Sequence, residues 1–310
     1  MEASKYFSSL IEAIAFRCEQ NPQARAFVFL DEEKRAQEVS NEQFYDDIRR
    51  YASRFIAQGI QPGEIVLLAL DHGYELLCCF WGAICCGAIP SILPYWRPGS
   101  DVNAYARKVK NLAEAVRARA VITLPDLYPA TSLALEQIKC LVCKAEEIAV
   151  GSPERSIALP ELRAEQIALM QFTSGTTSEP RAIQFSHRAV LDHIKAGANQ
   201  HHINKDSVYV IWLPFYHDMG LIGHIRQLIH GGPLILISPR TWLENPAILF
   251  KAISYYRGTT SSMPNFAFDY SVQRIREEDL RGIDLSSWQM LSNGSEPVEL
   301  SSVQRFRDRF

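Results

Sequence analysis

The chain has 310 residues, 47% of them hydrophobic, with 32 Lys and Arg against 35 Asp and Glu, a formal net charge of −3. That much apolar content at so small a net charge excludes an intrinsically disordered chain, and the balance of charges gives no electrostatic footprint for nucleic acid. The length exceeds that at which a single hydrophobic core stops growing, so two packed units are expected.

Met1-Glu2-Ala3-Ser4-Lys5 lacks the basic start of a signal peptide, and Glu12 interrupts the apolar stretch behind it. Ser40-Asn41-Glu42-Gln43 reads as a capping box. Phe44, Ile48, Tyr51, Ala52, Phe55 and Ile56 then follow at helical spacing, until Gly59 stops the helix and Pro62-Gly63 turns the chain. Glu64–Leu70 is a short apolar strand, and Asp71 is a candidate cap for the next helix. The longest apolar run, Tyr74 to Trp96, contains Glu75, Gly82, Gly87, Pro90 and Pro94. It reads as a buried helix ending at Gly87 and a strand over Ala88–Leu93, not as a membrane span, and a cytoplasmic chain is expected.

Asp101 opens a helix with Tyr105, Val109, Leu112, Ala113 and Val116 on one face, and Ala120–Leu124 is a strand. Gly151-Ser152-Pro153 begins a polar connector. Ile167–Thr173 is a strand, followed by a Gly/Ser/Thr loop and a helix over His187–Gln200. Val208–Leu213, Leu234–Ser238 and Trp288–Ser292 are further strands with helices between them. Such alternation predicts an α/β fold with parallel sheets covered on both faces, in which ligands bind beyond the carboxyl ends of the strands.

Seven cysteines, Cys18, Cys78, Cys79, Cys85, Cys86, Cys140 and Cys143, make an odd set with two adjacent pairs inside an apolar helix. Buried reduced thiols are expected, not a disulfide framework. Cys140-x-x-Cys143 has no second pair or suitably spaced histidines for zinc. His201-His202 reads as a polar helix end or loop.

Residues 171–183 read Gln-Phe-Thr-Ser-Gly-Thr-Thr-Ser-Glu-Pro-Arg-Ala-Ile. Thr173, Ser174, Thr176, Thr177 and Ser178 supply hydroxyls, Gly175 permits close backbone approach, and Arg181 adds a cation with a fork of donors. Together they suit a polyphosphate, a flexible polar loop being the plain alternative. Neither the nucleoside-triphosphatase P-loop pattern nor Gly-x-Gly-x-x-Gly occurs.

Phe172–Arg181 resembles the phosphate-binding signature of the adenylate-forming enzymes. Trp212-Leu213-Pro214-Phe215-Tyr216-His217-Asp218-Met219-Gly220-Leu221, Ser262-Met263-Pro264-Asn265-Phe266-Ala267 and Ser292-Asn293-Gly294-Ser295-Glu296-Pro297-Val298 resemble, in order, further strings of its fatty acyl-AMP ligase branch. The resemblance runs through essentially all 310 residues. It implies two similar doubly wound α/β subdomains of the large N-terminal domain. One would be 59–204, with the phosphate loop 173–182, and the other 1–58 with 205–310.

By that resemblance the protein is a ligase that joins a fatty acid, of long chain, to AMP with release of pyrophosphate, then passes the acyl group to an acyl carrier protein in lipid or polyketide biosynthesis. ATP and Mg²⁺ are implied, with no direct protein ligand to the metal in this chain. Thr173, Ser174, Gly175, Thr176, Thr177 and Arg181 would bind the β- and γ-phosphates. His217 would be catalytic, beside the α-phosphate and the carboxylate. Asn293, Gly294, Ser295, Glu296 and Pro297 would line the adenine pocket. Phe215, Met219, Gly220, Met263, Asn265 and Phe266 would form the acyl pocket, while Asp218 reads as a helix N-cap.

In the phosphate loop, Ser178 and Ala182 stand where the family has glycines, and Arg181 where it has Lys. The family's later Mg²⁺-binding acid, ribose-binding Asp and catalytic Lys do not occur. A partial N-terminal domain with weak or no activity alone is therefore expected. Two alternatives stay open: an acyl-CoA synthetase using coenzyme A, and a nucleotide- or acyl-binding module without turnover.

Overall fold

The computed structural model describes residues 7–30, 36–149, 158–173 and 181–310. The first elements are α1 (Leu10–Gln20), β1 (Arg25–Leu30), β2 (Ala36–Ser40), α2 (Asn41–Ala57), β3 (Ile65–Ala69), α3 (Tyr74–Cys85), β4 (Ile89–Ile92), α4 (Val102–Val116), β5 (Ala120–Thr123), α5 (Tyr128–Leu135), β6 (Leu141–Lys144) and α6 (Ala145–Ala149). They continue with β7 (Ile167–Phe172), β8 (Ala182–Ser186), α7 (His187–Gln200), β9 (Tyr209–Ile211), α8 (Asp218–His230), β10 (Leu234–Ile237), α9 (Pro239–Glu244), α10 (Ala247–Tyr256), β11 (Thr260–Pro264), α11 (Asn265–Arg274), β12 (Met290–Gly294) and α12 (Leu300–Arg309).

Two compact units result. One holds the described residues up to Gln20 with Glu42–Asp192, and the other holds Asn21–Asn41 with His193–Phe310. Residues 42–58, grouped by the sequence reading with 205–310, cluster instead with the segment that follows them. The cause is the fit of α2 against α3: a Cβ at Gly82 would stand 2.5 Å from Tyr51 Cβ.

The first unit contains a four-stranded parallel sheet, order β4-β3-β5-β6, and a hairpin of β7 and β8. Leu67, Val109, Val121 and Met170 meet in its core, and burying such side chains contributes about 1.5–3 kcal/mol each. Asp101 caps α4, its carboxylate accepting from the Asn103 and Ala104 amides at 2.8 and 3.1 Å. Asp71 does not cap α3. That helix starts at Tyr74 behind an extended Gly73 with no side-chain cap bond. β7 is antiparallel to β8, contrary to the expectation of purely parallel sheets. The connection between Phe172 and Ala182 is shorter than the roughly dozen residues that a parallel crossover needs.

The second unit is a six-stranded sheet, order β12-β11-β9-β10-β1-β2. It is mixed: β1 is parallel to β10, while the edge strand β2 is antiparallel to β1. Val39 is the buried residue of β2.

All seven thiols are free, and Cys78, Cys79, Cys85, Cys86 and Cys143 are buried. Burial raises the pKa of Cys85 to about 12. His201 and His202 form the turn after α7, His202 at φ 53°. Among the described residues no helix is long and apolar enough to cross a membrane.

Candidate functional site

β9, β11 and β12 run parallel in the six-stranded sheet, so the segments that follow them leave from the same edge. The stretch after β9 carries His217 into α8, the one after β11 begins α11 at Asn265, and the one after β12 contains Ser295, Glu296 and Pro297.

The first segment folds tightly onto its own helix. The Leu221 amide donates to the His217 carbonyl at 2.9 Å and the His217 amide to the Pro214 carbonyl at 3.3 Å. A Cβ at Gly220 would stand 2.2 Å from the Pro214 oxygen, so only glycine allows this closure. His217, in extended backbone, is the N-cap of α8. Asp218, expected at that position, is instead the first helical residue, and its Oδ1 accepts from the Met219 amide at 2.8 Å. The tight turn shifts the helix start by one residue. Crowding by protein atoms lowers the His217 pKa, against the opposing pull of Asp218. The ring is therefore mainly neutral at pH 7.

The second and third segments are joined through Asn265, which is 7% exposed. Its Oδ1 accepts from Asn293 Nδ2 at 3.1 Å and from the Glu299 amide at 3.0 Å. Glu296 Oε1 accepts from the Phe266 amide at 2.6 Å, at the start of α11. Ser295 takes φ 68°, in the left-handed region that non-glycine residues seldom adopt. A Cβ at Gly294 would meet Met219 Cε at 2.9 Å, so the segments after β9 and β12 touch. Asn293 Oδ1 is buried and has no hydrogen-bond partner among the described residues.

A cavity of about 310 Å³ opens along α8. Of the acyl-pocket residues expected from the sequence, Met219 lines it, as do Asp218 and Ser295. Phe215 and Met263 are fully buried, and Gly220 packs on Pro214. Phe266 is 47% exposed and lies edge-on to Trp212 and Trp242, which stack at 3.7 Å. Tyr209, Ile222 and Arg226, outside the motif strings, also line the cavity, as does Ser262, the first residue of one of them. The spacing of Met219, Ile222, Gly223 and Arg226 on one helical face was the available signal.

In the other unit, Thr173 and Arg181 face each other where the β7–β8 hairpin passes into its connecting loop, the Thr173 amide donating to the Arg181 carbonyl at 2.8 Å. Arg181 is exposed. Ser174, Gly175, Thr176 and Thr177 lie outside the described residues.

The sequence profile of the family described as AMP-binding enzyme matches residues 14–310. The chain is 29% identical over 315 residues to the medium-chain-fatty-acid–[acyl-carrier-protein] ligase JamA of Moorena producens, covering 97% of this chain and 51% of that protein. It is 29% identical over 307 residues to the long-chain-fatty-acid–AMP ligase FadD26 of Mycobacterium marinum, covering 95% and 52%. Its fold superposes with a TM-score of 0.85, at 29% identity, on the fatty acyl-adenylate ligase from L. pneumophila in complex with acyl adenylate and pyrophosphate, covering 97% of this chain and 52% of that one. The chain thus spans about half the length of the relatives it matches. On a match that runs through nearly its whole length, the chain belongs to the AMP-binding enzyme family, and its relatives are fatty acyl-AMP ligases.

Proposed function

We propose that the protein acts in an AMP-forming acid ligase. One carboxylate oxygen of the acid attacks the α-phosphorus of ATP, the bond to the β-phosphate oxygen breaks, and pyrophosphate leaves. A thiol then attacks the acyl carbonyl, the thioester forms as AMP departs, and the thiol proton goes to solvent. The preferred acceptor is an acyl carrier protein, as in the name of the Moorena relative, with coenzyme A as the alternative.

The observation that carries this reading is the orphaned Asn293 Oδ1. Its amide nitrogen is already engaged by Asn265, which fixes the oxygen as a pre-aimed acceptor. An adenine amino group is the donor it suits, with Gly294, Ser295, Glu296 and Pro297 forming the rest of that pocket. The hydroxyls and amides of 173–177 and the Arg181 fork would hold the β- and γ-phosphates. His217, neutral and next to the amino end of α8, would donate to the α-phosphate oxygens as charge builds there. Met219 would meet the acyl chain directly, with Phe215, Gly220, Met263 and Asn265 supporting the wall from inside and Phe266 at its surface.

Mg²⁺ would neutralise phosphate charge when bound. Among the described residues no group of three or more His, Cys, Asp or Glu is arranged for a metal. The test is acid-dependent exchange of labelled pyrophosphate into ATP by the full-length gene product, followed by mass analysis of carrier protein and coenzyme A. ATP binding without exchange for any acid would replace this reading with a binding module.

A further inference from the structure

The cavity along α8 has a mixed wall: Met219, Ile222 and the Tyr209 ring offer apolar surface to the body of a chain, while Arg226, Ser262 and Ser292 place donors where a plain alkyl chain has nothing to accept from them. The Tyr209 hydroxyl donates to Ser262 Oγ at 2.8 Å, which leaves the Ser262 hydrogen for an acceptor in the cavity. Arg226 is half-buried, and its Nε is buried with no hydrogen-bond partner among the described residues. No described carboxylate forms an ion pair with it. Gly197 lies beneath the guanidinium, where a Cβ would stand 3.4 Å from Nη1.

The groups nearest Arg226 do not cancel its charge. His201 and His230 are held neutral by burial first, with the Arg226 charge acting on both and Lys195 acting on His230. The one carboxylate on the wall, Asp218, sits at the opposite end of the helix face and is engaged by the Met219 amide. An alkyl terminus beside Arg226 would strip water from the guanidinium and the Ser262 hydroxyl without replacing their hydrogen bonds. A carboxylate would form charge-assisted bonds, about twice as strong as neutral ones.

We infer that the acid taken by this cavity carries a second carboxylate at the far end of its chain, held by Arg226 and Ser262: a medium-length α,ω-dicarboxylic acid. The inference rests on the acid-ligase reading and names its substrate class. Asp218 and Arg226 are eight residues apart on α8, which corresponds to about 12 Å of helix axis. The Arg side chain tilts back toward the helix N-terminus and shortens that distance. An extended chain advances roughly 1.2 Å per bond, so the second carboxylate falls within about ten bonds of the first.

The test is calorimetric titration of the full-length gene product with decanedioate and with decanoate, alongside pyrophosphate exchange with both. One charge-assisted pair corresponds to roughly 10- to 100-fold in affinity, so decanedioate should bind at least about tenfold tighter. Arg226→Leu should abolish or invert that preference, and Arg226→Lys should keep part of it. Circular dichroism and thermal midpoints check that both variants fold, and Arg226→Gln replaces Arg226→Leu if the latter does not. Equal affinities in the parent, an undiminished preference in Arg226→Leu, or no binding of either acid would overturn the inference. Exchange supported equally by decanoate would overturn it while leaving the ligase reading intact. Exchange with no acid at all would defeat the ligase reading itself.

Discussion

Asn265→Ala tests whether one buried amide positions the segment after β12, proposed above to face adenine. The substitution removes an acceptor for Asn293 Nδ2 and for the Glu299 amide, and a donor to Ser302 Oγ at 3.4 Å. A buried donor left without a partner costs about 1–3 kcal/mol. Asn293 is half-buried and bears most of this, whereas Glu299 is exposed and water replaces the lost acceptor. A destabilisation of about 2–3 kcal/mol follows. Urea unfolding followed by tryptophan fluorescence measures it. Trp212, Trp242 and Trp288 all report on the affected unit. The decisive step is a double-mutant cycle with Asn293→Ala, for which a coupling of about 1 kcal/mol is expected. ATP affinity should fall in Asn265→Ala, because Asn293 is freed to rotate. Additivity within about 0.3 kcal/mol, with unchanged ATP affinity, would refute the positioning role.

Three further outcomes follow from the geometry. Gly220→Ala forces the Pro214 carbonyl away from α8 and should destabilise by about 2–4 kcal/mol while displacing His217; an unchanged urea midpoint would contradict the close approach of α8 to Pro214. Asp101→Ala removes both cap bonds of α4 and should cost about 1 kcal/mol, with no effect on ATP binding. His187 is buried, its Nδ1 accepts from the Leu10 amide at 3.2 Å, and burial lowers its pKa to about 4. The folded state resists protonating it, so its stabilisation is complete above the unfolded pKa near 6.5 and is lost as pH falls toward 4. The difference between wild type and His187→Gln across that window should be about 3 kcal/mol, and a pH-independent difference would refute the assignment.

Legibility from sequence followed the hydrophobic signal in part: the apolar β1, Arg25–Leu30, was not among the expected strands. β3, β4, β5, β9 and β10 are short apolar runs, and each lies within the predicted strand. β11 was invisible as a strand because Thr260-Ser261-Ser262 reads as polar, whereas Ser261 and Ser262 find partners distant in sequence, the Val210 carbonyl accepting from Ser261 Oγ at 2.6 Å and Ser262 Oγ accepting from the Tyr209 hydroxyl at 2.8 Å. β2 and β8 are polar edge or hairpin strands with few inward residues. The segment strings located His217 and Asn293, but not what surrounds them. Arg226 was passed over because one cation on an otherwise apolar helix reads as a solvent-facing residue until its neighbours are known.

The pairing of β1 with β10 has a consequence for biosynthesis. Phe27 meets Leu234 and Leu30 meets Ile237, so β1, whose other edge pairs with β2, cannot find β10 until about 200 more residues have left the ribosome. At roughly 5–20 residues per second the wait is about 10–40 s. During that time Phe27, Val28 and Phe29 present an unpaired, strongly apolar edge, the kind of surface that nascent-chain chaperones cover. Slowing translation before residue 237 should therefore raise the chaperone dependence of folding, and a transplanted early partner strand should lower it.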